Sequence, residues 1–155
     1  MNTMNNIRIM ETKPDADILH ILIQLSCDWE DEDSCYGYRK NCEEDIKGNR
    51  IFIAQDGPIV IGYLFGHRSL SDETNSIMPE KTAVFEVEEL YIKPEYRSQG
   101  IGKRLFRHME EAVLEDADYI MLSTATKNWK AILHFYLEEL DMQFWNARLF
   151  KEIKK

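Results

Sequence analysis

Val87-Glu88-Glu89-Leu90-Tyr91-Ile92-Lys93-Pro94-Glu95-Tyr96-Arg97-Ser98-Gln99-Gly100-Ile101-Gly102 is the stretch on which the reading of this chain turns. The β-branched and aromatic run Ala83 to Val87 precedes it and a helical pattern from Lys103 to about Leu114 follows, so the glycines stand where a strand passes into a helix. A helix start has unpaired N–H groups and the positive end of the helix dipole, and Gly100 and Gly102 have no Cβ to hold a phosphate away from those donors. A diphosphate suits that junction. Two nucleotide motifs fail on spacing. A P-loop needs glycine where Arg97 stands and Ser or Thr after Lys103, and a dinucleotide fingerprint needs glycine where Leu105 stands.

Working outward, Ile7 to Met10 alternates as a first strand, and Pro14-Asp15 opens a helix through Cys27 with Ile18, Leu19, Leu22, Ile23 and Leu25 at helical spacing. A short helix is expected from Arg39 to Ile46. Arg50 to Gln55 and Ile59 to Phe65 flank Asp56-Gly57-Pro58 as a hairpin, and Gly66 to Lys81 reads as a polar loop. After the central strand and helix, Tyr119 to Ser123 is a buried-type strand, and Asn128 caps a helix from Trp129 to Leu140. Met142 to Ile153, aromatic and β-rich, is expected to form two short strands around Asn146. The order is β-α-α-β-β-β-α-β-α-β-β.

With 155 residues, 44% of them hydrophobic, the chain fits a single domain over 1–155 with a real core. A formal net charge of -9 argues against nucleic acid as partner and is compatible with a cationic one. Cys27, Cys35 and Cys42 match neither a metal pair nor an even disulfide set, and the four histidines show no metal spacing, so no metal is expected. Reduced thiols suggest a cytoplasmic protein. No signal pattern opens the chain, and no apolar run is long enough to span a bilayer, so no membrane is expected as partner.

Arg97-x-x-Gly100-x-Gly102 after the Leu90-x-Ile92-x-Pro94 strand end resembles the coenzyme A signature of the GNAT superfamily of N-acetyltransferases. Asn128-x-x-Ala131-Ile132-x-x-Phe135-Tyr136 and the Asp56-Gly57 hairpin closing on Ile61-Gly62-Tyr63 resemble that family too, and the element order is its order. The resemblance implies an α/β (α+β) GNAT fold: a mixed, mostly antiparallel sheet of six to seven strands, splayed between strands 4 and 5 and flanked by about four helices. It implies acetyl-coenzyme A as cosubstrate, bound by Arg97, Ser98, Gln99, Gly100, Ile101, Gly102 and Lys103 at the diphosphate, and by Leu90, Tyr91 and Ile92 along the pantetheine arm. Asn128 and Tyr136 would complete that site.

Acetyl transfer from a thioester to an amine requires an amine that loses a proton, a stabilised oxyanion and a protonated leaving thiolate. By resemblance Tyr136 is the acid, since a phenol can protonate a departing thiolate of similar basicity. Glu86, Glu88 and Glu89 are the alternatives for the base. Glu86 and Glu88 share one face of the strand, and Glu89 takes the other unless a bulge intervenes. On the acceptor side Trp29, Glu32, Tyr36 and Tyr38, with Glu89, suit an amine held by charge and cation–π contact. A small cationic amine such as a polyamine or aminoglycoside, taken up in a ternary complex, is the leading expectation. A protein or peptide amine and a catalytically silent acyl-coenzyme A module are the alternatives. The aromatic segment Phe144 to Phe150 offers a surface for homodimerisation.

Overall fold

The computed structural model describes residues 6–155; residues 1–5 of the expected domain lie outside it. β1 (Ile7–Thr12) is followed by α1 (Ala16–Glu32), α2 (Glu43–Lys47), β2 (Arg50–Asp56), β3 (Ile59–Leu70) and β4 (Ala83–Ile92). A 3-10 turn, Pro94–Tyr96, leads to α3 (Ile101–Val113), β5 (Tyr119–Leu122) and α4 (Trp129–Leu133), which continues as π-helix over His134–Glu139. The strands form one sheet in the order β1-β2-β3-β4-β5, antiparallel except for the β4–β5 pair.

Each helix forms for a local reason. The Asp15 carboxylate accepts the Ile18 N–H at 2.9 Å and caps α1, whose buried stripe Leu19, Leu22 and Leu25 packs on one sheet face. Asp33, left-handed at φ 50°, ends it. On that face α1 covers Ile51, Ile53, Tyr63, Phe65 and Tyr91. On the other face α3 buries Leu105, Phe106 and Met109 against Phe52, Leu64, Phe85 and Val87. Each fully buried side chain of this size contributes roughly 2 kcal/mol.

β4 carries the feature that shapes the site. Its register with β3 pairs Phe65 with Glu89 and Gly66 with Val87, so Glu88 is an extra residue, a β-bulge. Phe85 and Val87 before the bulge pack on the α3 side, and so do Leu90 and Ile92 after it. Tyr91 lies on the α1 side. Alternation therefore puts both Glu86 and Glu89 on the α1 face. The bulge moves Glu89 off the opposite face that unbroken alternation would give it.

Three expectations are corrected. β3 does not end at Phe65 with a loop from Gly66; it runs to Leu70, pairing His67 with Glu86 and Leu70 with Ala83. Gly66 permits this, because a Cβ there would collide with the Glu86 carbonyl. The helix expected from Arg39 begins only at Glu43. The preceding stretch is held extended by the Lys40 N–H on Glu30 and the Asn41 N–H on the Ser26 hydroxyl.

The third correction is the strand count, five in place of six to seven: Met142 to Ile153 forms no strand. Asp141 turns left-handed at φ 58°, Arg107 pairs with its carboxylate at 3.0 Å, and the chain then leaves the sheet. Trp145 donates to the Ser76 hydroxyl at 2.9 Å and the Phe150 ring meets Tyr36 edge-on, while Leu149 and Ile153 face solvent. β5, with only four residues, offers that segment a short ladder. β-propensity alone does not supply a partner.

Candidate active site

Parallel pairing between β4 and β5 joins Val84 to Tyr119 and ends with Val87 and Leu122, so from Glu88 to Ile92 the β5 side of β4 is unpaired. The strands splay there. The Lys93 N–H donates to the Ile61 carbonyl at 2.9 Å, and in this register the hydrogen-bonded residues are Lys93, Tyr91 and Glu89. The N–H and C=O groups of Leu90 and Ile92 consequently face the gap. Those of Tyr91 do not, since they belong to the β3 ladder; its expected backbone contact with a pantetheine arm is corrected on that ground.

α3 starts beside the gap. Gly100 is left-handed at φ 79°, the residue before α3, and the Arg104 N–H returns to its carbonyl at 3.1 Å. The N–H groups of Ile101, Gly102 and Lys103 thus have no acceptor within the helix. Ser98 is left-handed too, at φ 60°, so two reversals turn the loop's amides toward one concavity. A Cβ at Gly102 would stand 3.4 Å from the Phe135 ring, which brings α4 close over the loop. The donor set and the bare glycine backbone fit a diphosphate. Ile101 contributes only its N–H, because its side chain is buried with Ile7, Ala54 and Ile61.

Arg97 does not point into that concavity. Its Nε donates to the Ile92 carbonyl at 2.8 Å and its Nη2 to both Glu32 oxygens at 2.9 and 3.0 Å, with the guanidinium 5.3 Å from the Tyr91 ring centre. Gln99 likewise turns back, donating to the Glu95 carbonyl at 3.3 Å. Tyr136 sits in the π-helical turn with its ring edge-on to Phe106 of α3 and to Phe135, the ring that lies against Gly102. Burial pushes its phenol well above the ordinary value, and the nearby Cys35 adds to the shift. It therefore holds its proton. Asn128 precedes α4 without the expected side-chain cap bond; only its carbonyl serves the helix, accepting the Ile132 N–H at 3.2 Å.

Glu89 is held from three directions on the α1 side. Its Oε1 accepts from the Tyr38 hydroxyl at 2.9 Å, the Tyr63 hydroxyl at 2.8 Å and the Asn41 amide at 2.9 Å. Burial raises its pKa above the usual carboxylate value, and these three donors pull it back down. No described residue donates to Oε2, and no buried side-chain oxygen in the described residues lacks a partner, so Oε2 is open to solvent. Burial also raises Glu86, with the charge of Glu88 adding to it. Glu88 itself is exposed on the bulge, 3.4 Å from His67 Nδ1.

Residues 17–142 match the model of the Acetyltransferase (GNAT) family. The chain belongs to that family. Members of it are acetyltransferases, and the splayed sheet described above is their fold. Among solved structures, an aminoglycoside acetyltransferase, meta-AAC0020, from an uncultured soil metagenomic sample, in complex with sisomicin, superposes with a TM-score of 0.70 at 16% identity, covering 99% of this chain and 100% of that one. AAC(6')-Iy in complex with a coenzyme A bisubstrate analogue gives 0.66 at 15%, over 96% and 99% of the two chains. A ribosomal-protein-alanine N-acetyltransferase from Brucella melitensis biovar Abortus 2308 gives 0.68 at 13%, over 94% and 99%. At such identities the likeness is one of fold. No curated protein sequence matches the chain.

Within this GNAT frame the structure brings together Trp29, Glu32, Tyr38 and Glu89. Trp29 stacks on Tyr38 at 4.3 Å between ring centres and on Tyr91 at 5.3 Å, and the Tyr91 hydroxyl donates to Glu32 at 2.7 Å. Tyr36 stands apart, exposed, between Phe150 and the Lys127 ammonium. Neither Tyr63, named above only for its hairpin, nor Asn41 was expected at the site. A tyrosine alternating with Ile61 and Phe65 in a buried strand was the available signal, because its hydroxyl must find a partner inside. Among the described residues no group of three or more His, Cys, Asp or Glu is arranged to hold a metal ion, and no helix is long and apolar enough to cross a membrane.

Proposed function

We propose that this GNAT acetyltransferase moves an acetyl group from acetyl-coenzyme A to a primary amine of a small cationic compound, by direct attack in a ternary complex. The observation that carries the reading is the unpaired edge of β4. It opens the Leu90 and Ile92 amides toward a gap beside the start of α3, and Leu90, Ile92 and Tyr136 pack against one and the same core cluster. The cosubstrate supplies the acetyl thioester. The amides of Ile101, Gly102 and Lys103, with the Ser98 to Gly100 turn, would hold its diphosphate, and the glycines keep that approach clear.

The rest of the chemistry belongs to side chains of this chain. The Leu90 N–H, fixed in a central strand, offers a preorganised donor where negative charge develops on the carbonyl oxygen, a contact worth about 3 kcal/mol in the transition state. Glu89 takes the proton of the incoming ammonium at Oε2, while Oε1 stays anchored by Tyr38, Tyr63 and Asn41. Its burial moves its pKa toward the working pH of a base. Tyr136 Oη holds the proton that the leaving sulfur takes. Trp29 and Tyr38 form an aromatic wall for the cationic acceptor, while the charge of Glu32 beside them is already matched by Arg97.

Free-thiol release from acetyl-coenzyme A, followed with polyamines, aminoglycosides, amino acids and short peptides, tests the proposal. Turnover confined to small polycationic amines is expected. Turnover only with peptides would replace the acceptor class, and absence of cosubstrate binding by calorimetry would remove the reading altogether.

A further inference from the structure

The Arg97 side chain stands at a corner of the molecule. On one side is Ile92, the last residue of β4, whose gap-facing carbonyl accepts from Arg97 Nε. On the other is the turn Ser98 to Gly100, which leads into the amides of Ile101, Gly102 and Lys103 at the start of α3. A cosubstrate arm lying along the β4 edge would meet its diphosphate at that corner. A guanidinium suits a diphosphate, because its planar set of N–H donors matches phosphate oxygens.

That positive charge is already engaged. Arg97 Nη2 donates to both Glu32 oxygens, and the Tyr91 hydroxyl donates to Glu32 Oε1 at 2.7 Å. Glu32 is the more enclosed partner, its side chain 21% exposed against 42% for Arg97. The carboxylate is therefore fixed between α1 and Tyr91, and the guanidinium keeps an open side. Asp28, Asp31 and Glu95, with Lys93, line the groove of about 290 Å³ next to Glu32 and Tyr91, so Glu32 is one of several acids there but the one that Arg97 grips.

The geometry points to Glu32 as a positioning residue that acts on the cosubstrate through Arg97: it holds the guanidinium and matches its charge, and so weakens the hold on the diphosphate. This inference rests on the proposed function. While the carboxylate is ionised, a diphosphate at the α3 amides feels a neutral pair. With Glu32 uncharged it feels the whole guanidinium. Gln in that place still accepts from Tyr91, so the bond that fixes the side chain can persist while the charge is gone. A residue that only braced the fold would give weaker binding when changed. Glu32 should give tighter binding.

The test is calorimetric titration of coenzyme A into the full chain at low ionic strength, in the wild type, Glu32→Gln, Asp31→Asn, Arg97→Gln and the variant carrying both Glu32→Gln and Arg97→Gln. Glu32→Gln is expected to bind about fivefold more tightly than the wild type. Asp31→Asn removes the same charge from the same groove without touching Arg97, and should change affinity by less than about twofold. In the Arg97→Gln background the gain from Glu32→Gln should vanish. Unchanged or weaker binding in Glu32→Gln overturns the inference. A gain that Asp31→Asn shares in full, or one that persists without Arg97, belongs to the general field and overturns it too. Should Arg97→Gln fail to fold, Glu32→Gln against Asp31→Asn decides alone. Should the wild type not bind coenzyme A, the proposed function falls and this inference with it, whereas binding that ignores Glu32 removes the inference only.

Discussion

Glu89 has one oxygen pinned by three donors and the other free, an arrangement that fixes where a proton is taken and at what pH. Burial raises its pKa, and a base must be deprotonated to work, so activity rises with pH through a value above that of an ordinary glutamate. Tyr63→Phe removes one of the donors that lower this pKa. The acid limb of kcat/KM should therefore move to higher pH, and the variant should lose roughly 1 kcal/mol of stability. An unmoved limb would take Glu89 out of the role of base. The same sign governs folding: a carboxyl raised in the native state favours stability at low pH, and that contribution fades as pH rises through its native value. At Tyr136, Phe should lower kcat about a hundredfold while leaving calorimetric affinity for the cosubstrate nearly intact. Equal turnover in mutant and wild type would assign the proton to another group.

At the scale of elements, the bulge at Glu88 and the glycine opposite it act together. Gly66 lies against the Glu86 carbonyl, so Gly66→Ala must push β3 and β4 apart, costing roughly 2 to 3 kcal/mol and lowering Tm by roughly 5 to 10 °C. Much of the element order was legible, because α1, α3 and the hairpin carry their own caps, stripes and turn residues. The start of α3 followed from the Gly100 and Gly102 pair after a strand, and the sheet's splay only from the family that the Arg97 to Gly102 motif resembles. The bulge was not legible beyond an open alternative, since Glu88 and Glu89 are alike and the sequence does not say which of the two is the extra residue. Nor was the fate of Met142 to Ile153. Its aromatic residues favour strands, but the segment is drawn to Ser76 and Tyr36 by contacts distant in sequence. Arg97 shows the same limit: its motif placed it beside the loop, and only the fold reveals that Glu32 and the Ile92 carbonyl hold its side chain.

For the whole molecule, the net charge of -9 sets a field that favours cations before any contact is made. If the acceptor is polycationic, kcat/KM should fall several-fold as ionic strength rises from about 0.02 to 0.5 M, with kcat nearly constant, because screening shortens the reach of that field. A salt-independent kcat/KM would confine recognition to the short-range contacts of Trp29, Tyr38 and Glu89.

A strand in the middle of a sheet ordinarily shields all its amides from solvent deuterium. In β4 the ladder reaches Glu89 and Tyr91 from one side only, while Leu90 and Ile92 face the gap. Amide exchange along this strand should therefore alternate, slow at Glu89 and Tyr91 and fast at Leu90 and Ile92, in the free protein. A bound pantetheine arm would complete the missing half of the ladder, and the alternation would flatten into uniform protection.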